Sequence, residues 1–125
     1  MDEFKTLFEN YGGDYAATME RFMGNRTLYL KLLDMLFQDP NLQNLGDALD
    51  AGDLTAAFEA AHTLKGVVGN MGLTPLYTAA CAIVEPLRGR QPRDDYPELY
   101  RAVQTEFQNA EELRGRLRAA GLSAS

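Results

Sequence analysis

The sequence predicts an all-α protein, with an antiparallel four-helix bundle core and short additional helices at the N-terminus. Glycine, proline and asparagine turn signals divide the chain into segments of helical length. Within these segments apolar residues recur every three or four positions, which is the helical period. No run of alternating β-branched residues and no hairpin turn interrupts the pattern. Short connections favour antiparallel neighbours, and therefore a bundle.

The segments predict seven helices, roughly over 2–10, 14–23, 26–38, 41–50, 53–71, 74–88 and 95–120. We expect the first two to cap one end of a core formed by the longer ones. An apolar stripe supports the third, fourth and seventh helices, namely Tyr29, Leu32, Leu33, Leu36 and Phe37, then Leu42, Leu45 and Leu49, then Leu99, Val103, Phe107, Ala110, Leu113 and Leu117. The charges of the last helix, among them Arg114 and Arg118, resemble a solvated face.

Three residues mark helix boundaries. Asp53 is suited to be the N-cap of the fifth helix, because its carboxylate can accept from a free backbone N–H. Thr74 and Pro75 form an N-cap and first-turn pair for the sixth helix. Pro86 is expected to end or kink that helix, since proline lacks the N–H and crowds the preceding turn.

Length and charge limit the classes of function. The chain has 125 residues, of which 46% are hydrophobic and 24% charged, so we expect one globular domain over 1–125. Twelve basic residues face eighteen acidic ones, a formal charge of −6, which disfavours nucleic-acid binding. No stretch approaches the roughly 20 apolar residues of a membrane span. A single cysteine, Cys81, and an acidic N-terminus favour a cytoplasmic protein.

The scarcity of histidine and serine excludes several kinds of active site. His62 is the one histidine, and the two serines, Ser123 and Ser125, lie at the C-terminus. A Ser-His-Asp site would need an anchored serine. A zinc site would need several histidine and cysteine ligands, and the chain has one of each. We therefore expect no metal or cofactor on this chain.

The fifth predicted helix carries His62 on the side away from the core. At about 100° per residue, one broad arc contains Leu54, Ala57, Phe58, Ala61, Leu64, Val68 and Met71. His62 lies about 120° from the centre of that arc, so it faces solvent. Gly66 and Gly69 continue its line, with Lys65 about 60° to one side and Glu59 about 60° to the other.

Two glycines within one helix have a cost. Each is less favourable than alanine by about 1 kcal/mol, in a domain whose total stability is typically about 5–15 kcal/mol. The simplest interpretation is that Gly66 and Gly69 clear the surface beside His62 for a large partner, because a small substrate would need a pocket. For Gly69, close helix–helix packing is the alternative.

The combination of His62 and Lys65 predicts a phosphorylatable histidine. An exposed imidazole is largely an unprotonated nucleophile at neutral pH, and histidine can form covalent intermediates. The lysine ammonium, three residues along and on nearly the same face, would favour the arrival of a phosphoryl group.

The segment His62-Thr63-Leu64-Lys65-Gly66, with Gly72 ten residues after the histidine, resembles the His-x-x-Lys-Gly signature of histidine-containing phosphotransfer (HPt) domains. The preceding Ala60-Ala61 and the upstream segment 21–25 are also similar to that family. The resemblance covers roughly residues 13–89, and the motif has no departure from the family pattern.

The resemblance implies a role for each residue of the motif. His62 would accept the phosphoryl group, Lys65 would stabilise it, Gly66 would give a partner close access, and Gly72 would close the helix. The partners would be receiver domains of response regulators and of hybrid sensor histidine kinases, with Mg²⁺ on the receiver.

The function expected from this resemblance is a carrier in a multistep His–Asp phosphorelay. It would not be an autonomous kinase, because the chain has no nucleotide-binding motif. We expect Gly66, Gly69, Phe58 and Glu59 to form the docking surface. A monomer is expected, because no heptad seam is evident.

Three alternatives remain open from the sequence. A helical adaptor would dock receiver or kinase domains without accepting phosphate. The phosphotransfer segment of a chemotaxis-type kinase would carry a similar motif, although the chain's start at Met1 and its end at Ser125 favour a stand-alone protein. A small-molecule enzyme with His62 as general base would need a pocket and a second titratable group, and the sequence indicates neither.

Overall fold

A computed structural model describes the backbone of residues 2–124 and the side chains of residues 2–120. The described backbone forms seven α-helices and no strand, which confirms the all-α prediction. The helices are α1 (Glu3–Tyr11), α2 (Tyr15–Arg21), α3 (Arg26–Leu36), α4 (Asn41–Asp50), α5 (Leu54–Asn70), α6 (Thr74–Arg88) and α7 (Tyr96–Ala124). None of these described helices is long and apolar enough to span a membrane.

The helix boundaries follow the capping chemistry closely, with two corrections. The Asp53 carboxylate accepts from the Ala56 N–H at 3.0 Å, so Asp53 is the predicted N-cap of α5. The N-cap of α6 is Leu73 rather than Thr74, and no side chain caps it; Pro75 lies in the first turn. Of the two effects expected of Pro86, an end to α6 does not occur, because the helix continues to Arg88, and a kink stays a prediction. The Pro86 ring is buried, and tertiary packing of this kind sustains a helix against a lost hydrogen bond.

One hydrophobic core joins side chains from every helix. Within it α5 packs most extensively against α4 and α6, and α7 packs against α6, α1, α3 and α4. Its largest fully buried side chains are Tyr29, Phe4, Phe8, Leu33, Leu45, Leu64, Leu73, Leu76, Ile83, Leu87, Leu117 and Val68. The arrangement of the long helices as a four-helix bundle stays a prediction.

Contacts at both ends show that α5 and α6 run antiparallel. Near the end of α5, the backbone of Gly69 faces the ring of Tyr77, in the first turn of α6. Near the start of α5, the Thr55 hydroxyl accepts from Arg90 Nε at 3.2 Å, just after α6 ends. The residues that follow α6 are therefore placed beside the first turns of α5.

Aromatic rings fasten α1 and α2 to α3. Tyr29 of α3 is fully buried, and the rings of Phe4, Phe8 and Phe22 meet it edge-to-face with centroid separations of 5.1–6.5 Å. Such contacts contribute about 0.5–1.5 kcal/mol each beyond the area they bury. The N-terminal helices thus form part of the core.

An ion-pair network joins α3 to α7. The carboxylate of Asp34 accepts from Arg114 Nη1 at 3.0 Å and from Arg118 Nη2. The prediction of a solvated face is therefore wrong for these two arginines. The packing of α3 against α7 brings the Asp34 carboxylate to them. The hydrogen bond from Arg118, with that from Arg114, holds the pKa of Asp34 below its usual range.

Candidate functional site

His62 lies on the exposed side of α5, as the helical arithmetic predicts. Five members of the predicted core arc are buried, namely Ala57, Ala61, Leu64, Val68 and Met71, and the other two, Leu54 and Phe58, are half-buried. The imidazole is exposed on the other side of the helix. A partner approaching that surface would meet the ring before it met the core.

A surface groove of about 410 Å³ runs along α5 from the imidazole towards the turn that follows the helix. His62, Lys65, Gly66 and Gly69 all line it, so the structure brings these predicted site residues together. The other lining residues are Asn70, Gly72, Leu73, Thr74 and Tyr77. Lys65 is half-buried rather than fully exposed. Phe58 and Glu59, also predicted to dock a partner, do not line the groove.

Gly66 opens the surface one turn beyond His62. A Cβ atom added there would meet nothing within 4 Å, so the packing of the described residues does not require a glycine. The missing side chain instead leaves the helix backbone uncovered next to the imidazole. This geometry favours the interpretation that Gly66 gives a partner access.

Gly69 has a different reason to be small. A Cβ atom there would lie 3.1 Å from both Cδ1 and Cε1 of Tyr77, which is tighter than an ordinary contact. This contact supports the helix-packing alternative for Gly69, which also lines the groove. Tyr77 is itself 37% exposed, and it lines the groove rather than filling the core.

The other side of His62 is built from stacked side chains. The Phe58 ring, one turn before His62 on α5, stacks on the imidazole with a centroid separation of 5.3 Å and an interplanar angle of 25°. The guanidinium carbons of Arg90 and Arg88 lie 4.6 Å and 5.5 Å from the Phe58 centroid. Glu59 is exposed.

Side chains of α2 and α3 hold the end of α5. The Tyr29 hydroxyl donates to the Met71 carbonyl at 2.6 Å, and burial raises the pKa of Tyr29, so the donor keeps its proton. Arg21 Nη1 donates to the Asn70 carbonyl at 2.7 Å. Gly72 has φ +70°, and Thr18 packs against its Cα. The groove therefore ends at a turn with fixed geometry.

Arg88, Arg90 and Tyr77 were not among the site residues predicted from the sequence. A signal for Arg90 existed: residues that follow α6 lie beside the start of an antiparallel α5, where Phe58 precedes His62 by one turn. Tyr77 follows Gly69 across a tight turn in the same way. Helical period alone predicts neither contact, because both depend on the rotation of α6 about its axis.

The arrangement can accept a negatively charged group at an exposed nucleophile beside a cation. Among the residues with described side chains, no cluster of three His, Cys, Asp or Glu could hold a metal ion. The reactive side chains that line the groove are those of His62 and Lys65.

Comparison with protein families gives one match. The model of the Hpt domain matches residues 28–120, from the first turn of α3 into α7. The match reaches further towards the C-terminus than the motif resemblance, and it leaves the segment 21–25 outside. Comparisons with curated proteins and with solved structures gave no match. Because the family model covers well over half of the chain and includes the His62 motif, this protein belongs to the Hpt domain family.

Proposed function

We propose that this protein relays phosphoryl groups between aspartates of receiver domains in a multistep His–Asp phosphorelay, and that it holds the group on His62. Histidine phosphotransfer in two-component signalling follows from membership of the Hpt domain family. The observation that supports His62 as the acceptor is its position: the one histidine is exposed, beside Lys65 and the open backbone of Gly66.

The transfer would need little chemical assistance from the chain. The unprotonated ring nitrogen of His62 attacks the phosphorus of an aspartyl phosphate, and an N–P bond forms. The P–O bond to the aspartyl group breaks, and the carboxylate leaves with the electron pair. Because an acyl phosphate is a good donor, catalysis consists mainly of alignment and charge neutralisation. The second transfer is the reverse reaction, onto an aspartate of another receiver.

Lys65 and Gly66 would each assist this step. The Lys65 ammonium provides a charge-assisted hydrogen bond to the phosphoryl oxygens. The uncovered backbone at Gly66 lets the surface of the receiver approach until its aspartate reaches the ring. The open space at Gly66, where an added Cβ would meet nothing within 4 Å, supports a protein surface as the partner.

Several further properties belong to the same proposal. The chain acts as a single helical-bundle domain and a monomer in the cytoplasm, and binds receiver domains of response regulators and hybrid kinases. It is a carrier and not an autonomous kinase, it brings no metal of its own, and Mg²⁺ resides on the receiver. The docking surface includes Phe58, Glu59, Gly66 and Gly69.

The test is phosphoryl transfer from a receiver domain phosphorylated with a small acyl phosphate. We expect label to move to the wild-type chain, to be acid-labile and base-stable, and to be absent from His62→Gln. Circular dichroism and binding to the same receiver provide the control, since the substitution is exposed and should leave both unchanged.

The contrary outcome is a docking module. Binding of several active receivers by the wild-type chain, without transfer of label to it, would overturn the phosphorelay proposal in favour of a helical adaptor. Label that persists on His62→Gln would overturn His62 as the acceptor.

A further inference from the structure

Arg90 occupies a backbone conformation that arginine rarely adopts. Its φ is +53°, in the left-handed region. The neighbouring glycine, Gly89, could adopt that conformation without strain, yet its φ is −90°. This region is strained for a residue other than glycine. The strain therefore falls on a residue whose side chain reaches α5.

Four contacts fix the Arg90 side chain. Its Nη1 donates to the carbonyls of Leu87 at 3.0 Å and Arg88 at 2.9 Å, which terminates α6. Its Nε donates to the Thr55 hydroxyl at 3.2 Å. The guanidinium carbon then lies 4.6 Å from the centroid of Phe58. Hydrogen bonds to α6 and α5 therefore hold the guanidinium in the position where it contacts the Phe58 ring.

The Phe58 ring contacts both the Arg90 guanidinium and the His62 imidazole. Phe58 is half-buried and stacks on the imidazole, whereas the imidazole is exposed and has no hydrogen bond that the structure records in the described residues. The stack is therefore the contact that limits rotation of the imidazole about its side-chain bonds. A cation over an aromatic ring at an exposed site contributes about 0.5–1 kcal/mol.

We infer that Arg90 is a positioning residue for phosphoryl transfer: it fixes the orientation of the Phe58 ring on which the His62 imidazole stacks. The inference rests on the proposed function for its consequence on rate, but the orientation of the ring can be measured without any partner. Because His62 is the single histidine, its ring protons give unambiguous NMR signals.

The first measurement is the proton NMR spectrum of His62 in Arg90→Gly and Phe58→Leu. Ring-current shifts from Phe58 should be lost in Phe58→Leu and reduced in Arg90→Gly. Arg90→Gly relieves the backbone strain, so the protein should remain folded. Arg90→Lys keeps the charge but not the planar guanidinium, and should give intermediate shifts.

The second measurement is the transfer rate of the same variants. Arg90→Gly should slow transfer by about two- to fivefold, the equivalent of one exposed cation–π contact. The double variant Arg90→Gly/Phe58→Leu should be no slower than Phe58→Leu alone, because both act through the same ring. Arg116→Ala, at an exposed arginine of α7, controls for the loss of one positive charge.

The outcomes separate the two proposals. Unchanged His62 resonances in Arg90→Gly would overturn the positioning role, even if transfer slowed. If the wild-type chain accepted no phosphoryl group, the phosphorelay proposal would fail, and the resonances alone would then decide whether Arg90 orients the ring. If Arg116→Ala slowed transfer as much as Arg90→Gly, the loss of one positive charge would explain both rates. That result would also overturn the positioning role of Arg90.

Discussion

The two sides of His62 are built in opposite ways. After the histidine, the glycine flank (Gly66, Gly69 and the groove) has uncovered backbone at Gly66, whereas Gly69 lies against Tyr77. One turn before the histidine, the aromatic flank (Phe58, Arg88 and Arg90) consists of side chains stacked on one another. Under the two proposals above, the glycine flank would admit a partner and the aromatic flank would orient the nucleophile.

The glycine flank should depend most on Lys65, which lines the groove next to His62. Replacement of Lys65 by alanine removes a charge-assisted hydrogen bond of about 1.5–3 kcal/mol, so transfer should slow by about 10- to 150-fold. The measurement is the single-turnover transfer rate from a phosphorylated receiver. Lys31→Ala, at an exposed lysine of α3, is the matched control and should transfer at the wild-type rate. Equal rates in the two variants would remove Lys65 from the mechanism.

A side chain added at Gly66 should slow phosphoryl transfer without lowering the free energy of unfolding. Gly66→Leu places a side chain in open space, so the free energy of unfolding should stay the same or rise by up to about 1 kcal/mol. Transfer should fall by about tenfold or more, because a misplacement of about 1 Å can cost that much. Gly115 of α7 also faces open space, so Gly115→Leu should share the gain in stability and keep the transfer rate. If Gly66→Leu transferred the phosphoryl group at the wild-type rate, an uncovered backbone at Gly66 would not be needed for transfer.

The two glycines of that flank should respond differently to alanine. Gly66→Ala should raise the free energy of unfolding by about 0.5–1 kcal/mol. Gly69→Ala should raise it less or lower it, because the new Cβ lies 3.1 Å from the Tyr77 ring. In a Tyr77→Ala background the gain at Gly69 should return, and a double-mutant cycle by chemical denaturation measures the coupling. If the effects of Gly69→Ala and Tyr77→Ala on the free energy of unfolding were additive, contact with Tyr77 would not be the reason that position 69 is a glycine.

The smallest expected effect lies outside both flanks. Asp34→Asn should lower the free energy of unfolding at neutral pH by less than about 1 kcal/mol, since the pair is partly exposed. Because the folded-state pKa of Asp34 is lowered, its stabilisation is present above its unfolded pKa and is lost as the pH falls. Denaturation of both proteins between about pH 7 and pH 2 should therefore show the difference vanishing in acid. The transfer rate at neutral pH should not change, and a slower variant would place this network in the site.

Much of the site could be predicted from residues close together in the sequence. Helical period places His62 on the side of α5 opposite Leu64 and Val68, and spacing places Lys65 and Gly66 beside it. Asp53 begins the helix through a bond to Ala56, three residues on. Each of these relations lies within one or two turns of helix, where the geometry of the backbone alone decides the outcome.

The helical class and the exposed His62 with Lys65 and Gly66 beside it follow from the order of residues along the chain. The contacts of Gly69 with Tyr77, of Arg90 with Phe58, and of Asp34 with Arg114 and Arg118 depend on how the helices pack. The physical reason is that a helix presents its residues in a fixed order around its axis. Which of them meets a neighbour depends on how the core side chains of two helices interlock.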